Sequence, residues 1–357
     1  LEATTFDNAV QAARANLAAA QASATDARLE LDRQQALLDR GVAPRARVER
    51  AQKPREVALA QVDAAQAQLA TALEVLRIGM DGVSTRQTLG TRGKVVPWLP
   101  LLASHLVAYS VMAVAPAGRA TAEAVKASLL SRWTGGATAA AMGTANQANV
   151  LLSSGTFTLL SAWAAYVVTG WSILTWVLLA HFASMNVFGL ALRAAARYER
   201  LGAWLGRRFP RLGRHAAAFH SASRETPLYP VKPVGAMILG RVFQAGHFGV
   251  VAAAVGITPS VAGALAVHGV YLVVAAVAVM IPGQLGASEL GFQMSAEILH
   301  TTETRAVAIA LLSHAVQITL TVAGFVVLLF WPGPRAARAA LDPSQIDERA
   351  SRPPSLD

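Results

Sequence analysis

Residues 260–282 read SVAGALAVHGVYLVVAAVAVMIP and contain no Asp, Glu, Lys or Arg. A helix of about 20 apolar residues is long enough to cross the roughly 30 Å hydrocarbon core of a membrane. Other stretches share this length and apolar character: 95–115, 150–169, 171–192, 234–256 and 306–331. One such helix fits inside a soluble protein, but six in series indicate lipid surroundings. The sequence therefore predicts an all-α, polytopic helical membrane bundle.

The composition supports this interpretation, because the 357 residues are 54% hydrophobic and only 15% charged. Residues 1–80 carry ten basic and ten acidic side chains, whereas residues 94–341 carry seventeen basic and six acidic ones. Positive charge that flanks apolar spans is a topology signal. No zinc-finger spacing or aromatic-interleaved basic stretch accompanies it, so it does not indicate nucleic-acid binding. The chain has no Cys, which excludes disulfides.

An arginine-rich loop at residues 193–225 predicts the orientation. It holds eight Arg and is opposed only by Glu199 and Glu225. By the positive-inside rule the loop is cytoplasmic, which predicts a multi-pass protein of the bacterial inner membrane. The loop either lies along the anionic inner surface or is solvated. Counting spans from it places residues 1–80 outside, and also the polar, disordered tail at 336–357 unless residues 287–300 cross the membrane again.

The first 80 residues have a different character, rich in Ala, Gln and Arg at helical spacing. They predict an antiparallel α-helical coiled-coil hairpin that turns at Gly41–Pro44 and is followed by a polar linker at 81–94. The arms AARANLAAAQASATDARLELDRQQALLDRGVAPRARVERAQ and ALAQVDAAQAQLATALEVL resemble the helical hairpin of periplasmic adaptor proteins. That resemblance implies an efflux or envelope partner. A generic Ala-rich coiled coil and a fusion remnant are the alternatives.

Two segments interrupt the apolar pattern in the same way, at residues 115–123 and 281–289. In both, Pro follows an apolar span, small residues follow Pro, and Glu comes seven residues after Pro. Matched Pro/Gly interruptions predict an internal repeat with broken or re-entrant helices around a site near the midplane. Backbone groups freed at membrane depth are tolerated where they are buried in protein or face a watery cavity.

These breaks supply the candidate site residues, to which we assign three roles. The residues that break the helices are Pro116, Gly118, Pro282, Gly283 and Gly286. Glu123 and Glu289 face the cavity, and Arg119 and Arg241 meet phosphate, with His314 as a further candidate on the lipid path.

Two of these assignments have alternatives. Glu289 is either a functional carboxylate in the cavity or a capping carboxylate at the start of a helix. Arg241 pairs with Glu289, binds lipid phosphate, or extends toward the cytoplasmic surface. The His residues of the spans either hydrogen-bond neighbouring helices or build a metal site or proton relay. We predict no metal and no cofactor.

The segments APAGRATAEAVKASLLSR, IPGQLGASELGF and ALLSHAVQITLTVAGFVVLL resemble the lysylphosphatidylglycerol synthase transmembrane region, a flippase-like domain family. The resemblance covers residues 95–335, with His314 about where the family often has Arg. It implies a polytopic protein that moves phospholipid-like molecules across the bilayer. It does not imply lipid lysylation, because the soluble aminoacyl-transfer domain is absent.

Three functions compete on this evidence. The preferred prediction is a non-catalytic lipid translocator with membrane phospholipids as partners. An enzyme is disfavoured because the chain contains no HExxH, GxSxG, paired Asp or P-loop motif. The alternatives are an efflux-associated membrane subunit that uses residues 1–80, and an inactive fusion fragment.

Overall fold

The computed structural model describes residues 3–198, 219–225, 227–257 and 260–331. Across these residues every regular element is helical, which confirms the all-α prediction. The helices used below are α1 (Ala3–Asp39), α2 (Arg45–Thr88), α3 (Trp98–Val114), α4 (Gly118–Thr134), α5 (Gly136–Thr169), α6 (Ile173–Arg197), α7 (Val231–Ala254), α8 (Val261–Val277), α9 (Ala287–Met294) and α10 (Glu303–Leu329).

Four helices, α5, α6, α7 and α10, are long and apolar enough to cross a membrane. The polytopic bundle is therefore confirmed. The helices α3 and α8 are shorter, at 17 residues each, or about 25 Å at 1.5 Å per residue. Both stop before a Pro/Gly break, so the stretches at 95–115 and 260–282 are not the full spans that the sequence predicts.

The helices α3 and α4 form a hairpin that enters the bundle and returns to the same end, here called the first end. The start of α3 and the end of α4 share an apolar cluster, in which Val96 and Leu130 are buried and Trp98 and Trp133 pack around them. The polypeptide therefore turns back inside the bundle at the break, as a re-entrant hairpin does.

The helices α8 and α9 form a second hairpin that enters from the opposite end, here called the second end. There the end of α9 meets the start of α10, because Gln293 Nε2 donates to Glu303 Oε2 over 2.9 Å. Arg305 of α10 lies against the residues after α7, 3.5 Å from the carbonyl oxygen of Gly256. The α3–α4 and α8–α9 hairpins thus have inverted orientations, the arrangement expected of an inverted repeat.

The tips of the two hairpins meet inside the bundle. The short 3-10 helix Pro282–Gln284 contacts α3. A Cβ atom on Gly283 would lie 3.1 Å from the carbonyl oxygen of Ala113, so the approach of the two backbones requires a residue without a side chain. Gly283 also has a φ of 60°, which favours glycine.

The end of α10 lies at the first end, where the described edges of the arginine-rich loop also lie. Arg92 Nη2 lies 3.3 Å from Glu225 Oε1, and the Arg132 guanidinium lies over the Trp331 ring. The second hairpin does not cross the bundle, so α10 returns to this end without an additional crossing at 287–300. Residues 199–218 and 332–357, which include most of the loop and the tail, lie outside the described residues.

The second half of α2 belongs to the bundle and runs antiparallel to α7. His247 Nδ1 lies 3.1 Å from the carbonyl oxygen of Ala70, and a Cβ atom on Gly240 would lie 3.3 Å from Met80 Cβ. The α1–α2 hairpin therefore projects beyond the second end, with its tip near Gly41.

The helix α2 continues to Thr88, whereas the sequence predicts a linker at 81–94. The reason is a set of interhelical hydrogen bonds, in which Asn146 Nδ2 donates to Thr85 Oγ1 over 2.8 Å and Asn149 Nδ2 donates to Thr88 Oγ1 over 3.0 Å. Such polar contacts hold helices together in a membrane. The division of the chain into domains stays a prediction.

This arrangement predicts the sidedness of three single-cysteine variants of the cysteine-free chain: Ser221→Cys, Thr304→Cys and Val42→Cys. In sealed vesicles, a membrane-impermeant maleimide is expected to label Ser221→Cys from one side only, and the other two variants from the opposite side only. Vesicles of inverted orientation are the control, because labelling must exchange completely. Labelling of Ser221→Cys and Val42→Cys from the same side would contradict the path of α2.

Candidate functional site

A cavity of about 260 Å³ lies where the two breaks meet. The breaks contribute Gly118, Arg119, Gly283 and Gln284 to its wall, and the rest of the wall comes from the surrounding helices. Pockets for drug-sized ligands have volumes of about 300–1,000 Å³. This cavity is therefore smaller than a typical drug pocket and has room for one compact group.

Three arginines line the cavity, and one of them, Arg77, is paired with two carboxylates of its own helix. Arg77 Nε lies 2.7 Å from Glu74 Oε1 and Arg77 Nη1 lies 3.0 Å from Asp81 Oδ2, with Arg77 and Glu74 both buried. Buried charges are tolerated when they are paired in this way. This triad contributes a net charge of −1.

The other two arginines, Arg119 and Arg241, have neutral partners. Arg241 donates from Nη1 to Gln244 Oε1 over 2.8 Å and from Nη2 to Ser154 Oγ over 2.6 Å. Arg119 Nη1 lies 3.7 Å from Met112 Sδ, a weak acceptor. Among the described residues neither guanidinium forms a salt bridge. Counted with the triad alone, they give a net charge of +1, and the Glu289 carboxylate beside His314 lies outside this count.

The remaining polar wall includes several amide and hydroxyl side chains: Gln147, Ser154, Gln244, Ser288, Ser313 and Gln317. Gln244 has a second partner besides Arg241, because His268 Nε2 lies 3.2 Å from its Oε1. These amides and hydroxyls offer both donors and acceptors, which suits the oxygens of a phosphate or a hydroxylated headgroup.

The structure brings half of the sequence-predicted residues to the cavity wall. Those in contact with the cavity are Gly118, Arg119, Arg241, Gly283 and His314. The others lie beside it: Pro116, Glu123, Pro282, Gly286 and Glu289. Their functional roles stay predictions, since no contact by itself assigns a role.

Glu123 is expected to face the main cavity but lies in the wall of a smaller neighbouring one. It is buried, and its Oε2 lies 2.7 Å from Lys126 Nζ. An i,i+3 pair on one helix satisfies both charges locally, which explains why Glu123 does not extend toward the main cavity.

Of the two alternatives for Glu289, the structure shows the capping arrangement, and a functional role of the carboxylate stays a prediction. Its Oε2 accepts a 2.8 Å hydrogen bond from the backbone N–H of Gly286, so it caps the start of α9. Its Oε1 lies 3.3 Å from His314 Nε2, and His314 lines the cavity. The alternative pair with Arg241 does not form, because Arg241 is bonded to Gln244 and Ser154.

The triad Glu74, Arg77 and Asp81 is not among the site residues that the sequence predicts. The signal was present, since LEVLRIGMDGV at 73–83 places three charges at positions i, i+3 and i+7 within an apolar run. Such a pattern indicates a polar face inside a bundle. The likeness of this segment to an adaptor hairpin instead favours a coiled-coil hairpin over residues 1–80.

These features define a class: a polytopic membrane protein with an arginine-lined cavity between two inverted helix breaks. Residues 55–324 match the family described as the lysylphosphatidylglycerol synthase TM region, and the chain belongs to that family. No curated protein and no solved structure matches the chain. The match begins inside α2, so α1 lies outside it and the adaptor-like character of the hairpin stays a prediction.

Proposed function

We propose that this protein binds the phosphate of a membrane phospholipid in the main cavity and helps the headgroup to cross the bilayer. The observation that carries the proposal is the pair Arg119 and Arg241, two guanidinium groups without a carboxylate partner at membrane depth. A guanidinium group with only neutral hydrogen-bond partners is energetically costly there, and its presence favours a functional role. Arginine is well suited to phosphate because its planar fork donates two parallel hydrogen bonds.

The inverted hairpins support movement across the bilayer as well as binding. One hairpin reaches the cavity from each end of the bundle, so a displacement of either tip would open the cavity toward that end. The headgroup would then exchange between the two leaflets while the acyl chains remain in lipid beside the bundle. No bond is made or broken in this proposal, and the protein acts on the lipid without catalysing a reaction.

We also propose an orientation in the bacterial inner membrane with the first end in the cytoplasm. The arginine-rich segment at 193–225 begins and ends there, and positive charge is retained on the cytoplasmic side. The α1–α2 hairpin would then project into the periplasm. That position favours a second candidate function, in which the hairpin recruits an envelope partner of an efflux system.

Lipid movement is tested by reconstituting the protein into vesicles with headgroup-labelled phospholipids and a membrane-impermeant quencher. We expect wild-type protein to expose inner-leaflet label to the quencher and Glu289→Gln to slow this exchange about tenfold. The substitution removes the charge that faces His314 and weakens the cap of α9, so the second hairpin is no longer held at the cavity.

The matched control is Glu297→Gln, because Glu297 is exposed and lies just after α9. It should exchange lipid at the wild-type rate. If folded wild-type protein moves neither anionic nor zwitterionic lipid, the proposal is overturned and the efflux role becomes the better candidate. If Glu289→Gln matches wild type, the second hairpin has no part in the movement.

A further inference from the structure

A smaller cavity of about 20 Å³ adjoins the main one between α2, α3 and α4. Its wall includes Arg77, Tyr109 and Arg119, which also line the main cavity. A space of at least about 10–15 Å³ is needed to hold one water molecule. The small cavity therefore has room for a single water-sized guest beside the anion site.

Three side chains in this wall carry a buried polar atom without a hydrogen-bond partner among the described protein atoms: His105 at Nε2, Arg119 at Nε and Glu123 at Oε2. Glu123 Oε2 lies 2.7 Å from Lys126 Nζ in an ion pair, whereas His105 Nε2 and Arg119 Nε have no ionic partner in the part of the chain that the structure describes. His105 is only 5% exposed. Buried polar atoms in proteins almost always have a partner, and an ordered water commonly supplies it.

The charges around the small cavity favour a neutral guest over an ion. The helix α2 contributes Asp81 and the Glu74–Arg77 pair, and α4 contributes Arg119 and the Glu123–Lys126 pair. These are three basic and three acidic groups, so the set is balanced without an ion. A water can accept a hydrogen bond from Arg119 and form a second one with His105.

We propose that the small cavity is a water-binding site, in which one water joins Arg119 Nε to His105 Nε2, and that His105 positions Arg119 through this water. The bridge would fix the inner edge of the guanidinium in the small cavity and leave its outer nitrogens for the main cavity. The last step, from a fixed Arg119 to ligand affinity, rests on the proposed function. The water site itself does not.

The experiment compares His105→Leu with His105→Gln by calorimetric titration of a short-chain phosphatidylglycerol into the detergent-solubilised protein. Leu fills the space and cannot bond a water, whereas the Gln amide can. We expect the affinity to fall about tenfold in His105→Leu and to stay within about threefold of wild type in His105→Gln. The control is His300→Gln, at an exposed position outside both cavities.

Thermal unfolding of each variant identifies any loss of lipid affinity that is caused by misfolding. With folded protein, equal losses in His105→Leu and His105→Gln, or no loss in either, would overturn the positioning role. A density map of the wild-type protein that resolves water molecules tests the water site without any lipid. A peak at hydrogen-bond distance from both His105 Nε2 and Arg119 Nε supports it, and an empty small cavity overturns it. Failure of wild-type protein to bind the lipid would count against the proposed function alone.

Discussion

Replacing Arg119 or Arg241 with glutamine is expected to weaken the binding of a monoanionic phospholipid by about ten- to a hundredfold for each substitution. A hydrogen bond from a charged donor contributes roughly 1.5–3 kcal/mol, and 1.4 kcal/mol corresponds to a factor of ten in affinity. Both side chains lack a carboxylate partner, so glutamine leaves no unpaired acidic group behind. Calorimetric titration of a short-chain phosphatidylglycerol measures the effect directly.

Arg305→Gln is the matched control for these arginine variants. Arg305 is an exposed arginine at the second end, outside the main cavity. The Arg305→Gln protein should therefore bind the lipid as tightly as wild type does. If the Arg119→Gln, Arg241→Gln double variant binds the lipid as tightly as wild type does, the two arginines do not form its phosphate-binding site. A loss that appears equally in Arg305→Gln would indicate general electrostatic attraction instead of a site.

Replacing Gly324 with valine is expected to lower the free energy of unfolding by about 2–4 kcal/mol. Gly324 lies on α10 where that helix touches α3, and an added Cβ atom would collide with Ser110 Oγ and the backbone of Leu106. Overpacking of this kind costs about 1–3 kcal/mol, and the hydrogen bond from Ser110 Oγ to the carbonyl oxygen of Thr321 would be lost as well. Reversible denaturation in mixed micelles measures the change.

Gly235 provides the contrasting position for this stability test. It is exposed in the first turns of α7, and an added Cβ atom there would meet nothing within 4 Å. Gly235→Ala should be neutral or stabilise the protein slightly, because alanine is favoured over glycine in a helix by about 1 kcal/mol. If Gly324→Val unfolds at the same point as wild type, α3 and α10 are not packed as closely as described.

The apolar spans were predictable because each crossing helix must satisfy its backbone hydrogen bonds internally and present an apolar surface. The number of crossings was not. An apolar composition indicates that a segment lies in lipid. A helix that crosses the membrane and a helix that enters and turns back have the same apolar composition. The returning helices α4 and α9 are too polar or too short to stand out as apolar spans in the sequence. The path of the chain becomes visible only from contacts such as that of Gly283 with Ala113.

The site was predictable where local sequence carries the chemistry. Pro/Gly breaks and isolated charges next to apolar spans led to Arg119, Gly118 and Gly283. Pairing between side chains was not predictable, because it depends on which helices become neighbours. Glu289 meets His314 through the packing of α9 on α10, and no spacing in the sequence indicates that contact.

The break at Pro282 and Gly283 has a consequence for the biosynthesis of the protein. If α8 continued as one long helix through this point, it would emerge at the first end. The insertion machinery would then deliver α10 in the opposite direction and leave the chain's terminus on the other face. Because the break returns the chain to the second end, it acts as a topology signal during membrane insertion. The break that brings Gly283 to the cavity wall therefore also sets the direction in which the final helix is inserted into the membrane during translation.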